Sequence, residues 1–169
     1  AYVLAEEHVK DQVEKQWDAI IQKMNLDITN YGVRKGIQLG TTVTAFLLLE
    51  DGSYVIGHVG DTRLYRITDQ SITQLTADQT FIAREIREGR MTAEEAKTDP
   101  RRNTLLQCVG ASPRVDVDFS QGQAREDDIY MLCCDGFRHV LSEDEIRVNL
   151  SPSVCSGSDI AKNQLVYLI

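Results

Sequence analysis

Several residue types and motifs are scarce or absent in this chain of 169 residues, and each absence excludes a class of protein. With 3 Pro, 11 Gly and no repeated or low-complexity tract, the composition indicates neither disorder nor a solenoid. None of the 4 Cys forms a Cys-x-x-Cys pair, which argues against a structural zinc site. No secretory signal and no apolar run of membrane-spanning length is visible, so we expect a cytoplasmic protein without a membrane span.

The motifs of several enzyme classes are missing as well. There is no Gly-x-Ser-x-Gly elbow and no Gly-x-x-x-x-Gly-Lys phosphate loop, so neither a serine hydrolase nor a nucleotide kinase is supported. Cys133 and Cys134 lack the phosphate-cradling loop that a cysteine phosphatase needs around its thiolate. The net charge of −8, from 18 basic and 26 acidic residues, argues against a nucleic-acid partner.

The first half of the chain changes from a helical to a strand-like hydrophobic pattern. A helix that ends near Gly32 or Gly36 is predicted by apolar residues at helical spacing. These residues are Val9, Val13, Trp17, Ile20, Ile21 and Met24. Four short apolar runs separated by turns then predict an antiparallel meander. The runs cover residues 42–49, 54–59, 63–67 and 71–75.

The second half mixes short helices and strands. Residues 78–102 predict a polar insert of two short helices, the second opened by a capping box at Thr92. A second capping box at Ser142 predicts a helix through Leu150. Apolar runs at 105–109, 115–119 and 128–134 predict further strands, and residues 157–169 predict a last helix. Segregated strands and helices indicate an α+β fold with helices packed on antiparallel sheets.

Two of the apolar strands run directly into an aspartate. Asp61 follows the run that ends at Gly60, and Asp135 follows the run that ends at Cys134 and precedes Gly136. Carboxylates held stiffly at the end of a sheet are suitable ligands for hard cations such as Mg²⁺ or Mn²⁺. An aspartate after a strand is also common in plain turns, so the pattern alone leaves both interpretations open.

Taken together, the segments resemble the type 2C (PPM) serine/threonine protein phosphatase family in its bacterial short form. The resemblance is carried by short motifs in the family's order at residues 40–42, 60–65, 75–80, 105–110 and 132–137. The residues that match most closely are Gly40, Thr41, Thr42, Gly60, Asp61, Arg63, Asp135 and Gly136. Three positions differ from the family pattern, where Thr62 and Cys134 replace serine and Gln79 replaces histidine.

The resemblance implies a fold, a chemistry and a partner. The family fold is α+β, with two antiparallel sheets packed as a sandwich, helices outside, and a small helical flap that would correspond to residues 76–103. The implied activity is hydrolysis of phosphoserine and phosphothreonine in proteins by a metal-activated water, in opposition to a serine/threonine kinase. Two core Mg²⁺ or Mn²⁺ ions and a possible third are implied. Asp135 matches the aspartate of a core metal, and Asp61 matches an aspartate of the third.

The chain also lacks parts of the family pattern. The upstream Asp-Gly-x-Gly-Gly motif, the phosphate-binding arginine before it and the downstream Asp-Asn pair are absent. No other catalytic residue is therefore assigned. We expect residues 1–169 to form a single phosphatase-like domain that is incomplete at both ends and has little activity. A non-catalytic phosphatase-like regulatory domain is the first alternative, and an unrelated α+β binding module is the second.

Overall fold

The computed structural model describes residues 6–155, and the predicted last helix at 157–169 lies outside this range. The helices of the described range are α1 Glu6–Lys35, α2 Phe81–Arg87, α3 Ala93–Thr98, α4 Asp135–Arg138 and α5 Glu143–Leu150. The strands are β1 Val43–Leu48, β2 Ser53–Val59, β3 Arg63–Ile67, β4 Ile72–Gln74, β5 Asp118–Gln123 and β6 Ile129–Cys133. No helix among residues 6–155 is long and apolar enough to cross a membrane.

The chain divides into two compact units, and neither unit is continuous in sequence. The first contains Ala1–Asp61 and Asp78–Gln123, and the second contains Thr62–Ala77 and Ala124–Ile169. Each unit has its own antiparallel sheet of three strands, ordered β1-β2-β5 in the first and β4-β3-β6 in the second. Two antiparallel sheets accompanied by helices confirm the predicted α+β class.

The sheet of the first unit is built around β2, whose seven residues are all buried. Gly57 of β2 pairs with Ala45 of β1 on one side and with Phe119 of β5 on the other. Trp17 of α1 lies over this glycine, because a Cβ atom added at Gly57 would come within 2.9 Å of its ring. The apolar core beneath α1 is formed by Ile21, Val59, Val109 and Val115.

The apolar stripe predicted for α1 is only partly correct. Ile21 is buried, but Ile20 is 54% exposed and Met24 is 36% exposed. Asn25 takes the buried position one turn after Ile21, and its side chain bonds to the Gly110 amide at 2.6 Å and to a loop carbonyl. Since successive helical residues are about 100° apart, burying the Ile21–Asn25 face turns Ile20 and Met24 toward solvent.

The second unit packs its sheet against α5. Tyr65 at the centre of β3 pairs with Gln74 of β4 and Met131 of β6. Ile146 and Leu150 are the buried residues of α5, and they share one apolar core with Tyr65 and Met131. The predicted capping box at the start of α5 is present, so the helix begins at the expected position.

The predicted insert also forms as expected. Thr80 caps α2 by accepting a hydrogen bond from the Ala83 amide, and Gly89, at φ +70°, follows its end. The capping box at Thr92 opens α3, and α3 ends before Asp99. The local sequence is sufficient here because caps and stop signals act within one helical turn.

One predicted strand is wrong, and another begins later than predicted. Residues 105–109 make only isolated bridges, between Thr41 and Val109 and between Thr80 and Leu105. Residues 115–117 are not part of a strand, and β5 begins at Asp118. The reason lies in α1, where the Gln22 side chain donates to the Val115 carbonyl at 2.6 Å and accepts from the Val115 amide at 3.5 Å. A distant side chain thus replaces the neighbouring strand that an alternating pattern normally indicates.

Candidate metal site

The turn that carries Asp61 depends on a glycine. Gly60 follows β2 with φ at +109°, a region that L side chains rarely adopt. A Cβ atom at this position would lie 2.3 Å from Cγ2 of Thr42, so a larger residue would clash at position 60. The motifs at residues 40–42 and 60–65 are linked sterically in this structure, because Thr42 packs against the backbone immediately before Asp61.

Buried side chains hold the peptide groups of Gly60 from both sides. The Gly60 amide donates to Oε1 of Gln79 at 2.8 Å, and its carbonyl accepts from the Gln79 amide at 2.8 Å. Nε2 of His58 lies 3.0 Å from the same carbonyl, which can only accept, so Nε2 carries the proton. Nδ1 of His58 then accepts from Thr44 Oγ1 at 2.9 Å. The His58 side chain is 1% exposed, so it is packed inside the first unit.

Asp135 has a different setting. It opens the short helix α4 directly after β6, and its side chain is exposed. Its Oδ1 accepts a hydrogen bond from the Gly136 amide at 2.8 Å. A Cβ atom at Gly136 would meet only the Cys134 sulfur, at 3.8 Å, so this glycine leaves open space beside the carboxylate. Asp135 is therefore accessible to a ligand from solvent.

Arg63, another residue that carries the resemblance, has a structural contact. Its Nη1 donates to the Tyr65 hydroxyl at 2.8 Å, and that hydroxyl donates to Oε1 of Glu143 at 3.0 Å. Burial of Tyr65, aided by the nearby Glu143 carboxylate, raises the pKa of the phenol to about 12, while Arg63 acts in the opposite direction. This chain of hydrogen bonds links β3 to the first turn of α5 in the second unit.

The donor chemistry of the two aspartates fits a hard divalent cation, since both offer carboxylate oxygens. Asp61 belongs to the first unit and Asp135 to the second. Within residues 6–155, no group of three or more His, Cys, Asp or Glu side chains could hold a metal ion. The described part of the chain thus supplies fitting donor atoms but no full coordination sphere of its own.

Curated proteins with similar sequences are bacterial phosphatases. The chain is 35% identical to the serine/threonine protein phosphatase PstP of Mycobacterium tuberculosis over 108 residues, which are 64% of this chain and 21% of PstP. It is 32% identical to a putative 2C-type protein phosphatase of Streptococcus pyogenes over 135 residues, 79% of this chain and 54% of that protein. The chain spans about half the length of most of these relatives, and no family model matches it.

Solved structures agree with the sequence comparison. The serine/threonine phosphatase Stp1 of Staphylococcus aureus superposes with a TM-score of 0.81 at 30% identity, covering 99% of this chain and 65% of Stp1. The PstP catalytic domain in complex with two manganese ions superposes with a TM-score of 0.73 at 28% identity, covering 91% of this chain and 63% of that domain. In sequence and in fold, the chain belongs to the type 2C (PPM) family of serine/threonine phosphatases.

Proposed function

We propose that this chain is part of a metal-dependent protein phosphatase that hydrolyses phosphoserine and phosphothreonine in other proteins. The observation that carries the proposal is the Gly60–Asp61 turn, which buried hydrogen bonds fix at the end of a fully buried strand. Rigid placement of a carboxylate is what a catalytic metal site requires. The manganese-bound PstP domain has the same fold, which supports a metal role for this turn.

Asp61 and Asp135 are the residues that would hold Mg²⁺ or Mn²⁺, with Asp135 serving a core ion and Asp61 a third ion. Bound divalent ions supply a water of lowered pKa and neutralise charge that develops on the phosphoryl group. The protein's part is to orient the carboxylates. Gly60 orients Asp61 through its backbone, and the Gly136 amide orients Asp135 through its hydrogen bond to Oδ1.

The insert at residues 76–103 is proposed as the flap that controls access of the substrate. Its helices α2 and α3 are short and lie next to each other in sequence, and few of their side chains are buried. Arg101 lies 4.1 Å from the centre of the Phe81 ring and pairs with Asp99 at 2.8 Å. These contacts give a polar element a defined shape, which a substrate-facing flap needs.

The further properties of the whole protein follow from its proposed family role. Its substrates are phosphorylated proteins, its activity opposes a serine/threonine kinase in the cytoplasm, and residues 1–169 belong to one phosphatase-like domain. The acidic net charge of −8 suits a protein partner rather than a nucleic acid.

A non-catalytic, phosphatase-like regulatory domain is the second candidate. It is favoured by the lack of any cluster of three metal-binding side chains within the described residues. Under this interpretation Asp61 and Asp135 are turn residues, and the fold serves to bind a phosphorylated partner without hydrolysing it. The two candidates differ in what happens to the phosphate after binding.

The experiment that separates them uses Mn²⁺ and a phosphothreonine peptide. Calorimetry should show Mn²⁺ binding that weakens in Asp61→Asn and in Asp135→Asn, whereas Asp127→Asn, a change at an exposed aspartate of the β5–β6 connection, should bind as before. We expect slow Mn²⁺-dependent release of phosphate that Asp135→Asn abolishes. Rapid turnover would contradict the expectation of little activity for this chain. No Mn²⁺ binding together with no hydrolysis would favour the regulatory candidate.

A further inference from the structure

Gln79 lies at the centre of a buried hydrogen-bond network next to Asp61. Its side chain is 9% exposed and follows β4, just before the cap of α2. Oε1 accepts from the Gly60 amide at 2.8 Å and from Nε2 of Gln107 at 2.9 Å. Nε2 donates to Oδ2 of Asp118 at 2.8 Å and to the His58 carbonyl at 3.5 Å. Both the oxygen and the nitrogen of the Gln79 side-chain amide are thus hydrogen-bonded, and the oxygen binds the Gly60 amide of the turn.

The orientation of this amide is fixed by its partners. A backbone amide can only donate, so the atom that faces Gly60 has to be the oxygen. Gln107 is itself held, because its Nε2 donates to the Asp116 carbonyl at 2.6 Å and its Oε1 accepts from the Asp116 amide at 2.9 Å. Gln107 therefore presents an NH₂ group to Gln79, which also requires the Gln79 oxygen at that side.

The backbone of Gln79 adds two further bonds. Its amide donates to the Gly60 carbonyl at 2.8 Å, and its carbonyl accepts from the Leu106 amide at 2.8 Å. The next residues continue this bridge, since the Phe81 amide donates to the Thr104 carbonyl at 2.9 Å. Both ends of the insert therefore meet at Gln79, which joins them to the turn that carries Asp61.

These contacts explain a position where the chain differs from its family pattern. A neutral histidine ring has one donor and one acceptor nitrogen, whereas the Gln79 amide accepts two hydrogen bonds and donates two. Gly60 is buried, so without Gln79 its amide would have to lie unsatisfied or move. Movement of Gly60 shifts the next residue, which is Asp61.

We propose that Gln79 is a positioning residue that holds the Gly60–Asp61 turn in the geometry in which Asp61 binds a divalent cation. Gln79 does not touch the ion and acts through the peptide groups of Gly60. This inference rests on the proposed metal role of Asp61. In this interpretation, the change from the histidine of the family pattern to Gln79 is not a sign of lost function. The side-chain amide of Gln79 stabilises the turn.

The test compares Gln79→Met, which keeps the size of the side chain but removes its polar group, with three other variants. Asp61→Asn removes the proposed ligand, Gln79→His restores the family residue, and Val55→Ala weakens the core of the same unit at a buried residue of β2. Two quantities are measured on the 169-residue chain: the hydrogen-exchange rate of the Gly60 amide, and the dissociation constant for Mn²⁺ from calorimetry.

In Gln79→Met we expect hydrogen exchange of the Gly60 amide to be about tenfold faster, because the free energy of one net hydrogen bond corresponds to about a tenfold change in rate. We expect the Mn²⁺ dissociation constant to rise about tenfold, as for other residues that orient a metal ligand. Gln79→His should recover part of both effects. Val55→Ala should lower the thermal midpoint but leave the Mn²⁺ affinity unchanged, which separates positioning from general stability.

The other outcomes would overturn either the inference or the proposed metal role on which it rests. If Gly60 exchange does not change in Gln79→Met, or if Mn²⁺ affinity is kept while Asp61→Asn loses it, Gln79 has no positioning role. If Asp61→Asn leaves Mn²⁺ affinity unchanged, or if the unsubstituted chain binds no Mn²⁺, the proposed metal role of Asp61 fails and the inference fails with it. Should Gln79→Met not fold, Gln107→Met removes one partner of the same oxygen and must change both quantities in the same direction.

Discussion

Replacing Gly60 by alanine tests whether the turn before Asp61 depends on a missing side chain. Two costs add in this variant. A φ of +109° is strained for any L side chain, and the new methyl group would lie 2.3 Å from Cγ2 of Thr42. Strained backbone and overpacking each cost about 1–3 kcal/mol, so we expect Gly60→Ala to lower the free energy of unfolding by about 3 kcal/mol.

Gly36→Ala is the matched control for this variant. Gly36 also has a positive φ, at +66°, but nothing lies within 4 Å of its Cβ position. Only the cost of a left-handed backbone with a side chain remains, so we expect Gly36→Ala to lower the free energy of unfolding by about 1 kcal/mol. Adding Thr42→Ala to Gly60→Ala should recover part of the lost stability, because it removes the methyl group that the alanine meets.

Urea unfolding followed by the fluorescence of Trp17 measures these differences in the first unit. Trp17 is the single tryptophan of the chain, and it lies over Gly57 of β2. Equal losses for Gly60→Ala and Gly36→Ala would refute the steric argument, because backbone strain alone would then account for both. A loss at Gly60 that Thr42→Ala does not relieve would show that Cγ2 of Thr42 is not the decisive contact, since Cβ of Thr42 would remain 2.6 Å from the new methyl group.

Two further predictions concern the second unit. Tyr65 keeps its proton up to a pKa of about 12 in the folded chain, while the unfolded chain ionises near its ordinary value of 10.0, so stability should fall as the pH rises from 10 to 12. Tyr65→Phe should remove this fall, which thermal unfolding across that pH range would detect. Ser142→Ala removes the side-chain cap of α5 and should cost about 1 kcal/mol, measured by circular dichroism, with the exposed Ser120→Ala as control.

Local signals predict much of this fold. The four strands β1 to β4 follow from short apolar runs with turns between them, and the helices α3 and α5 begin at the capping boxes of Thr92 and Ser142. Each of these signals acts among residues that are close in sequence. The late start of β5 has the opposite origin, since Gln22 bonds to Val115 from a helix far away in the chain.

In the candidate site, too, local features can be predicted from the sequence and long-range contacts cannot. Asp61 and Asp135 can be chosen from the sequence because each follows an apolar strand, and the structure places each at a strand end; their metal role stays a prediction. The network around Gln79 could not be predicted, since its partners come from separated segments and the residue stood out only as a departure from a motif. The sequence offered one indication of the network, a glutamine near the start of the polar insert, Gln79, and another just after its end, Gln107.

The discontinuous units have a consequence for synthesis on the ribosome. β3 and β4 are made before the second segment of the first unit, Asp78–Gln123, yet the second sheet needs β6, which ends at Cys133. The β3–β4 hairpin therefore leaves the ribosome with one edge unpaired and waits while residues 78–128 are translated. At about 5–20 residues per second this delay lasts several seconds, during which an isolated hairpin is exposed to misfolding or to chaperones.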